Sequence, residues 1–241
     1  MPPSALAHRD RLIVALDTPT IADARALVTT LGDSVDFYKI GLELVMNGGF
    51  DLARALIADG RRVFLDMKLL DIANTVEKAT ANAAALGVTF LTVHGTDTKT
   101  LAAAVKGRGR SPLKLLAVTV LTNLTQDDLV EQGIARAAAD VVLHRASLAK
   151  AAGFDGVISS GQEAAALRHA VPKNFLIVTP GIRMAGGAAG DQARVTTPGR
   201  AIADGADYLV VGRPITAAKD PKAAADLVVN DMAGGAPLHS R

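Results

Sequence analysis

Arg62-Val63-Phe64-Leu65-Asp66-Met67-Lys68-Leu69-Leu70-Asp71-Ile72-Ala73 runs from an apolar segment directly into three charges. Arg62 to Leu65 reads as a buried parallel strand. Asp66 and Lys68 are two residues apart, so on a continuing strand they point to the same face. Asp71 lies beyond the strand end, close to the start of a helix. Taking an Asp and a Lys out of water costs several kcal/mol per ion before pairing. The pair is therefore either a structural ion pair or part of an active site.

Working outward, short apolar runs alternate with Ala-rich helical segments along the whole chain. Strands are predicted at 12–16, 36–40, 62–67, 89–93, 114–120, 155–159, 175–178 and 207–211. Most are continuously apolar, the mark of strands buried on both faces. Helices are predicted at 21–31, 50–59, 76–86, 98–105, 135–152, 162–169, 198–203 and 221–229. Gly32, Gly60, Gly87, Gly153 and Gly205 each stand between a helix and the next strand, where a left-handed cap is favourable. Eight βα units in 241 residues predict an α/β fold, a single (β/α)8 TIM barrel, with an open doubly wound sheet as the competing arrangement. The expected division is an N-terminal extension over 1–10, a catalytic barrel over 11–230 and a tail over 231–241 that frays.

Composition narrows the chemistry. There is no cysteine, which removes disulfides, thiol nucleophiles and Cys-based metal sites. The five histidines show no ligand spacing and no carboxylate cage is visible, so no metal is expected. A net charge of +2, with aromatics at 3%, gives no footprint for nucleic acid. The basic run from Lys106 to Arg110 reads as a solvated loop. No apolar run approaches the ~20 residues of a membrane span, and Met1-Pro2-Pro3-Ser4 does not open a secretory signal. A cytoplasmic protein without membrane or nucleic-acid partners is expected.

In such barrels the site lies at the C-terminal ends of the strands. Read in order, those ends carry Asp17, Lys39, then Asp66 and Lys68 with Asp71 beyond, His94, Thr122-Asn123, Thr179-Pro180-Gly181 and Gly212-Arg213-Pro214. Two lysines and three carboxylates thus converge from the first three strands, each sign holding the other ionised. A protonated Lys68 is a candidate general acid; the competing reading is a structural ion-pair network. Gly212-Arg213-Pro214 reads as an anion site, with Pro214 at the first helical position and Arg213 offering a planar fork of donors. A helix-start surface arginine is the alternative. The glycine-rich stretch from Gly181 to Gln192, with Arg183 and Gln192 as its polar handles, reads as a lid or as a plain solvated loop. His94 is equally readable as a pocket residue and as a core histidine.

The segment from Phe64 to Thr75 resembles the Asp-x-Lys-x-x-Asp-Ile-x-x-Thr signature of the orotidine 5′-phosphate decarboxylase family. The resemblance continues through Ala15-Leu16-Asp17, Phe37 to Gly41, Val118 to Thr122, Pro180 to Arg183, Gly190-Asp191-Gln192 and Val211 to Pro214. It implies decarboxylation of orotidine 5′-phosphate to uridine 5′-phosphate in pyrimidine synthesis, with neither metal nor cofactor. Lys68 then corresponds to the acid that protonates C6, and Asp66 to the carboxylate beside the substrate's own. Lys39 and Asp17 correspond to charge-network and ribose contacts, Thr122 to a contact with the pyrimidine edge, and Pro180 to a substrate-binding residue. Arg183, Gln192, Gly212 and Arg213 correspond to the phosphate grip, with Gln192 also reaching the base. Asp71, Ile72 and Thr75 correspond to residues given to a neighbouring subunit's site, so a homodimer is implied. Ala73 departs from the family's usual Pro or Gly.

Two alternatives remain: a metal-dependent sugar-phosphate decarboxylase or aldolase on the same barrel, and a non-catalytic nucleotide-binding barrel.

Overall fold

Residues that are apolar on both faces of an extended segment need cover on both sides, and a closed parallel barrel inside a ring of helices provides it. The computed structural model describes residues 6–186 and 194–234. Strands β1 (Leu12–Ala15), β2 (Phe37–Gly41), β3 (Arg62–Leu69), β4 (Phe90–His94), β5 (Lys114–Val118), β6 (Gly156–Ile158), β7 (Leu176–Thr179) and β8 (Tyr208–Val211) pair in chain order. β8 returns to β1 through the register Ile13↔Val210, which closes the barrel and removes both sheet edges. The open doubly wound alternative is thereby excluded.

Helices α1 (Ile21–Leu31), α2 (Leu42–Val45), α3 (Gly49–Ala58), α4 (Ala73–Leu86), α5 (Thr98–Arg108), α6 (Gln126–Glu131), α7 (Ala138–Ala152), α8 (Ala164–Ala170), α9 (Pro198–Ala203), α10 (Arg213–Thr216) and α11 (Pro221–Met232) fill the connections. Two of these, α2 and α6, were not anticipated, because four to six residues are too few to show a helical period, and α10 was expected only as a helix start at Pro214. The five glycines between helix and strand all have positive φ. Helix α11 continues to buried Met232, so packed chain extends into the segment expected to fray.

Strand parity sorts the core into two parts. Ile13, Phe37, Phe64, Phe90, Leu116, Ile158, Leu176 and Tyr208 face the barrel interior. Their strand neighbours, such as Val14, Tyr38, Leu65 and Leu91, pack outward under the helices. Phe37, Phe90 and Tyr208 meet edge to face, with Phe90 at 5.0 Å from Phe37 and 5.2 Å from Tyr208, and Phe64 lies 5.9 Å from Phe90. This aromatic layer is the floor on which the site stands. Below it the barrel is sealed by charge: Arg62 sits 4.6 Å from the centroid of the Phe37 ring and is paired with Asp36.

Candidate active site

Two residues further along the same inward-facing parity, the aromatic floor gives way to Lys39 after Phe37, Asp66 after Phe64 and Thr92 after Phe90. All three are buried. Asp66 is the centre of the arrangement. Its Oδ2 receives the Lys68 ammonium at 2.8 Å and lies 3.5 Å from that of Lys39. Its Oδ1 accepts the Thr92 hydroxyl at 2.8 Å. Lys39 also donates to Asp17 at 2.9 Å, so the sequence of charges is Asp17, Lys39, Asp66, Lys68. Burial works against the charge on Asp66, but Lys39 and Lys68 outweigh it and hold the carboxyl below its ordinary range. Burial likewise opposes the charge on Lys39; Asp66 and Asp17 overcome it and raise its pKa. Gly41 keeps the network clear from above, since a Cβ there would lie 3.0 Å from Lys39 Nζ.

Asp66 and Lys68 reach one mouth, but not by simple alternation. The β3–β4 register jumps from Leu65↔Leu91 to Leu69↔Val93, and Lys68 has φ 49°. Among the described residues it is the one non-glycine with positive φ. Such a conformation costs on the order of 1–3 kcal/mol and persists only where its surroundings hold it. Here the Lys68 N–H donates to Thr92 Oγ1 at 2.9 Å.

A cavity of about 590 Å³ opens above these groups at the C-terminal ends of the strands. Of the residues expected at the site, it brings together Asp17, Lys39, Asp66, Lys68, Thr122, Pro180, Arg183, Gly212 and Arg213. The charge network occupies the β1–β3 side, and the arginines stand on the β7 and β8 side. Arg213 is the first residue of α10 and Pro214 the second, so the proline sits one position deeper than expected. Thr122 is buried, and the chain just before it is held by Arg194, whose Nη2 donates to the carbonyls of Val120 (3.3 Å) and Leu121 (3.0 Å). Arg194 is itself paired with Glu163.

Asp71, Ile72 and Thr75 are exposed and lie outside the cavity of their own chain. The Asp71 carboxylate accepts the Ile72 N–H at 2.6 Å, and α4 starts at Ala73, where the backbone takes up the helix without a side-chain cap. His94 is half-buried and does not line the cavity; burial, Arg145 and Lys68 push its pKa down against the pull of Asp66. Gln192, with Gly190 and Asp191, lies outside the described residues. The pocket carboxylates Asp17 and Asp66 are each engaged by ammonium groups, a donor set matched to a charge network rather than to a divalent cation.

Sequence reasoning missed Thr92, Gly41 and the Arg194–Glu163 pair. Thr92 had a signal: it is the lone polar residue in Phe90-Leu91-Thr92-Val93 and shares the inward parity of Phe90. The Arg194–Glu163 pair had none, because its partners are 31 residues apart on different connections.

A closed parallel barrel with alternating ammonium and carboxylate groups at the carboxyl ends of its strands defines the class: a (β/α)8-barrel enzyme. Residues 10–228 match the profile of the "Orotidine 5'-phosphate decarboxylase / HUMPS family". An orotidine 5′-phosphate decarboxylase of Rhodopseudomonas palustris (strain BisA53) is 55% identical over 226 residues, covering 94% of this chain and 96% of the relative. One from Bradyrhizobium sp. (strain ORS 278) is 52% identical over 236 residues, with 98% and 97% covered. The crystal structure of orotidine 5′-phosphate decarboxylase from Lactobacillus acidophilus superposes with a TM-score of 0.81 at 40% identity, covering 92% of this chain and 98% of that one. The chain belongs to the orotidine 5′-phosphate decarboxylase / HUMPS family.

Proposed function

We propose that this protein decarboxylates orotidine 5′-phosphate to uridine 5′-phosphate and carbon dioxide, within de novo pyrimidine synthesis and without metal or cofactor. The observation that carries this reading is the buried Asp66 carboxylate flanked by two ammonium groups, 2.8 Å from Lys68 and 3.5 Å from Lys39. In the reaction the C6–carboxylate bond breaks and its electron pair remains on C6. Carbon dioxide departs, and a proton from Lys68 Nζ forms the new C6–H bond. No delocalising group takes up the charge, so a fixed ammonium beside C6 is the stabilising element. Asp66, itself paired with Lys39, holds that ammonium in place before substrate arrives.

A preorganised donor of this kind contributes about 3–4 kcal/mol, so binding energy from remote parts of the substrate must supply more. Arg183, Gly212 and Arg213, on the side of the cavity away from Lys68, suit a phosphate; Gln192 is assigned to the same grip through the family resemblance. Thr122 suits the pyrimidine edge, and Asp17 with Lys39 the ribose. A cavity of about 590 Å³ lies within the usual range for small-ligand sites.

The functional unit is proposed to be a homodimer in which Asp71, Ile72 and Thr75 complete the partner's site. Exposed apolar side chains favour it: Leu42, Met46, Phe50, Leu70 and Ile72 all sit on the connections after β2 and β3. Beside them a groove of about 680 Å³ opens between α3 and α4 onto Leu65 and Met67. A large exposed apolar patch is the usual mark of an interaction site, and these side chains are the ones proposed to form it.

The test is spectrophotometric loss of orotidine 5′-phosphate in excess chelator. Full activity is expected, and loss of activity on chelation would favour the metal-dependent alternative. Lys68→Ala is expected to abolish turnover while nucleotide binding persists; normal turnover in that variant refutes the catalytic assignment.

A further inference from the structure

We propose that Thr92 is a positioning residue, whose hydroxyl sets both the backbone of Lys68 and the carboxylate of Asp66 in their working geometry. This rests on the decarboxylase reading above. Thr92 is fully buried, on β4 between Leu91 and Val93, directly across from the place where the β3–β4 register is lost. Four steps along β3, from Leu65 to Leu69, are set against two along β4, from Leu91 to Val93. The extra residues strip the bulged backbone of ordinary ladder partners. One of the stranded donors, the Lys68 N–H, is taken by Thr92 Oγ1 at 2.9 Å.

That bond fixes the direction of the hydroxyl. An N–H cannot accept, so the hydroxyl proton goes to its other neighbour, Asp66 Oδ1, at 2.8 Å. The opposite oxygen of the same carboxylate is the one that holds Lys68 Nζ. A single hydroxyl therefore closes a loop from the Lys68 backbone through Asp66 to the Lys68 ammonium. Valine has the same shape but leaves a buried N–H unpaired and frees the carboxylate to turn. Serine retains both bonds.

The experiment compares Thr92→Val with Thr92→Ser in steady-state turnover and in crystal structures. Thr92→Val is expected to lower kcat by about a hundredfold, the effect of misplacing a reacting group by about 1 Å, with KM unchanged. Thr92→Ser is expected to keep most of kcat. In the Thr92→Val crystal, Lys68 is expected to leave positive φ and its Nζ to move beyond ion-pair distance of Asp66. Should valine prevent folding, Thr92→Cys, a weak donor of similar size, is expected to behave in the same direction. Wild-type kcat in Thr92→Val or Thr92→Cys, equal losses in the serine and valine variants, or an unchanged bulge and ion pair would each overturn the inference. The crystallographic comparison separates the two readings. A wild-type protein inert towards orotidine 5′-phosphate, with the bulge rearranged in Thr92→Val, would defeat the decarboxylase reading and leave the positioning role standing.

Discussion

Asp66 carries more of the site than any other side chain, because three donors converge on its two oxygens. Removing one partner of a buried ion pair leaves an uncompensated charge, which costs about 3–5 kcal/mol. Lys39 retains Asp17, so Asp66→Asn is expected near the lower end, about 3 kcal/mol by urea unfolding at neutral pH. The pH dependence follows from the directions of the shifts. The folded-state pKa of Asp66 is depressed, so its contribution is complete above the unfolded value of about 3.9 and fades as pH falls through the lower folded value. The folded-state pKa of Lys39 is raised, so its contribution is complete below about 10.4 and fades as pH rises through the higher folded value. The stability gap between wild type and Asp66→Asn should therefore be flat from about pH 5 to about pH 9 and shrink below about pH 4. A gap that vanished near neutrality would show that the network is not ionised as described.

Elements enter the function through how they pack. Strand β3 carries its charged end out of the ladder by the bulge, and α4 follows at once, tight against α5. That contact depends on Gly107, where a Cβ would drive into the Glu77 carbonyl and lie 2.9 Å from Thr80 Cβ. In an exposed helix, Gly→Ala stabilises by about 1 kcal/mol. At this position the sign should reverse, and Gly107→Ala is expected to melt at lower temperature than wild type. A higher melting temperature would mean that α4 and α5 can separate without cost. The lysine just before that glycine reaches across the same contact, Lys106 to Glu77 at 2.8 Å, but its exposure makes this pair a minor contributor.

At the scale of the molecule, the barrel leaves one end charged and concave and one flank apolar and open. The charged end is complete within a single chain for Asp17, Lys39, Asp66 and Lys68, whereas Asp71, Ile72 and Thr75 are exposed and do not line it. In the proposed dimer, inactive Asp71→Ala and Lys68→Ala homodimers should regain activity on mixing, since a heterodimer assembles one site with both native groups. No recovery despite demonstrated subunit exchange would place Asp71 in the service of its own chain. Among the described residues, no helix is long and apolar enough to cross a membrane.

Continuous apolar runs and Ala-rich segments were enough to read the eight βα units, since burial on both faces leaves a local compositional mark. The charged strand ends were legible for the same reason: Lys39, Asp66 and Lys68 interrupt segments that otherwise exclude charge. Closure was not legible, because the pairing of β1 with β8 joins residues almost a whole chain apart. Nor was the bulge at Lys68, since alternation predicts the same face for Asp66 and Lys68 whether or not the register is kept. By itself, the amino-acid sequence determined the repeating fold and the residues that interrupt its core. Only the tertiary structure decided that Thr92 bonds the bulge, that Arg194 supports the chain before Thr122, and that Asp71 lies outside the cavity of its own chain. These depend on directions in space between elements distant in the chain, which local composition does not encode.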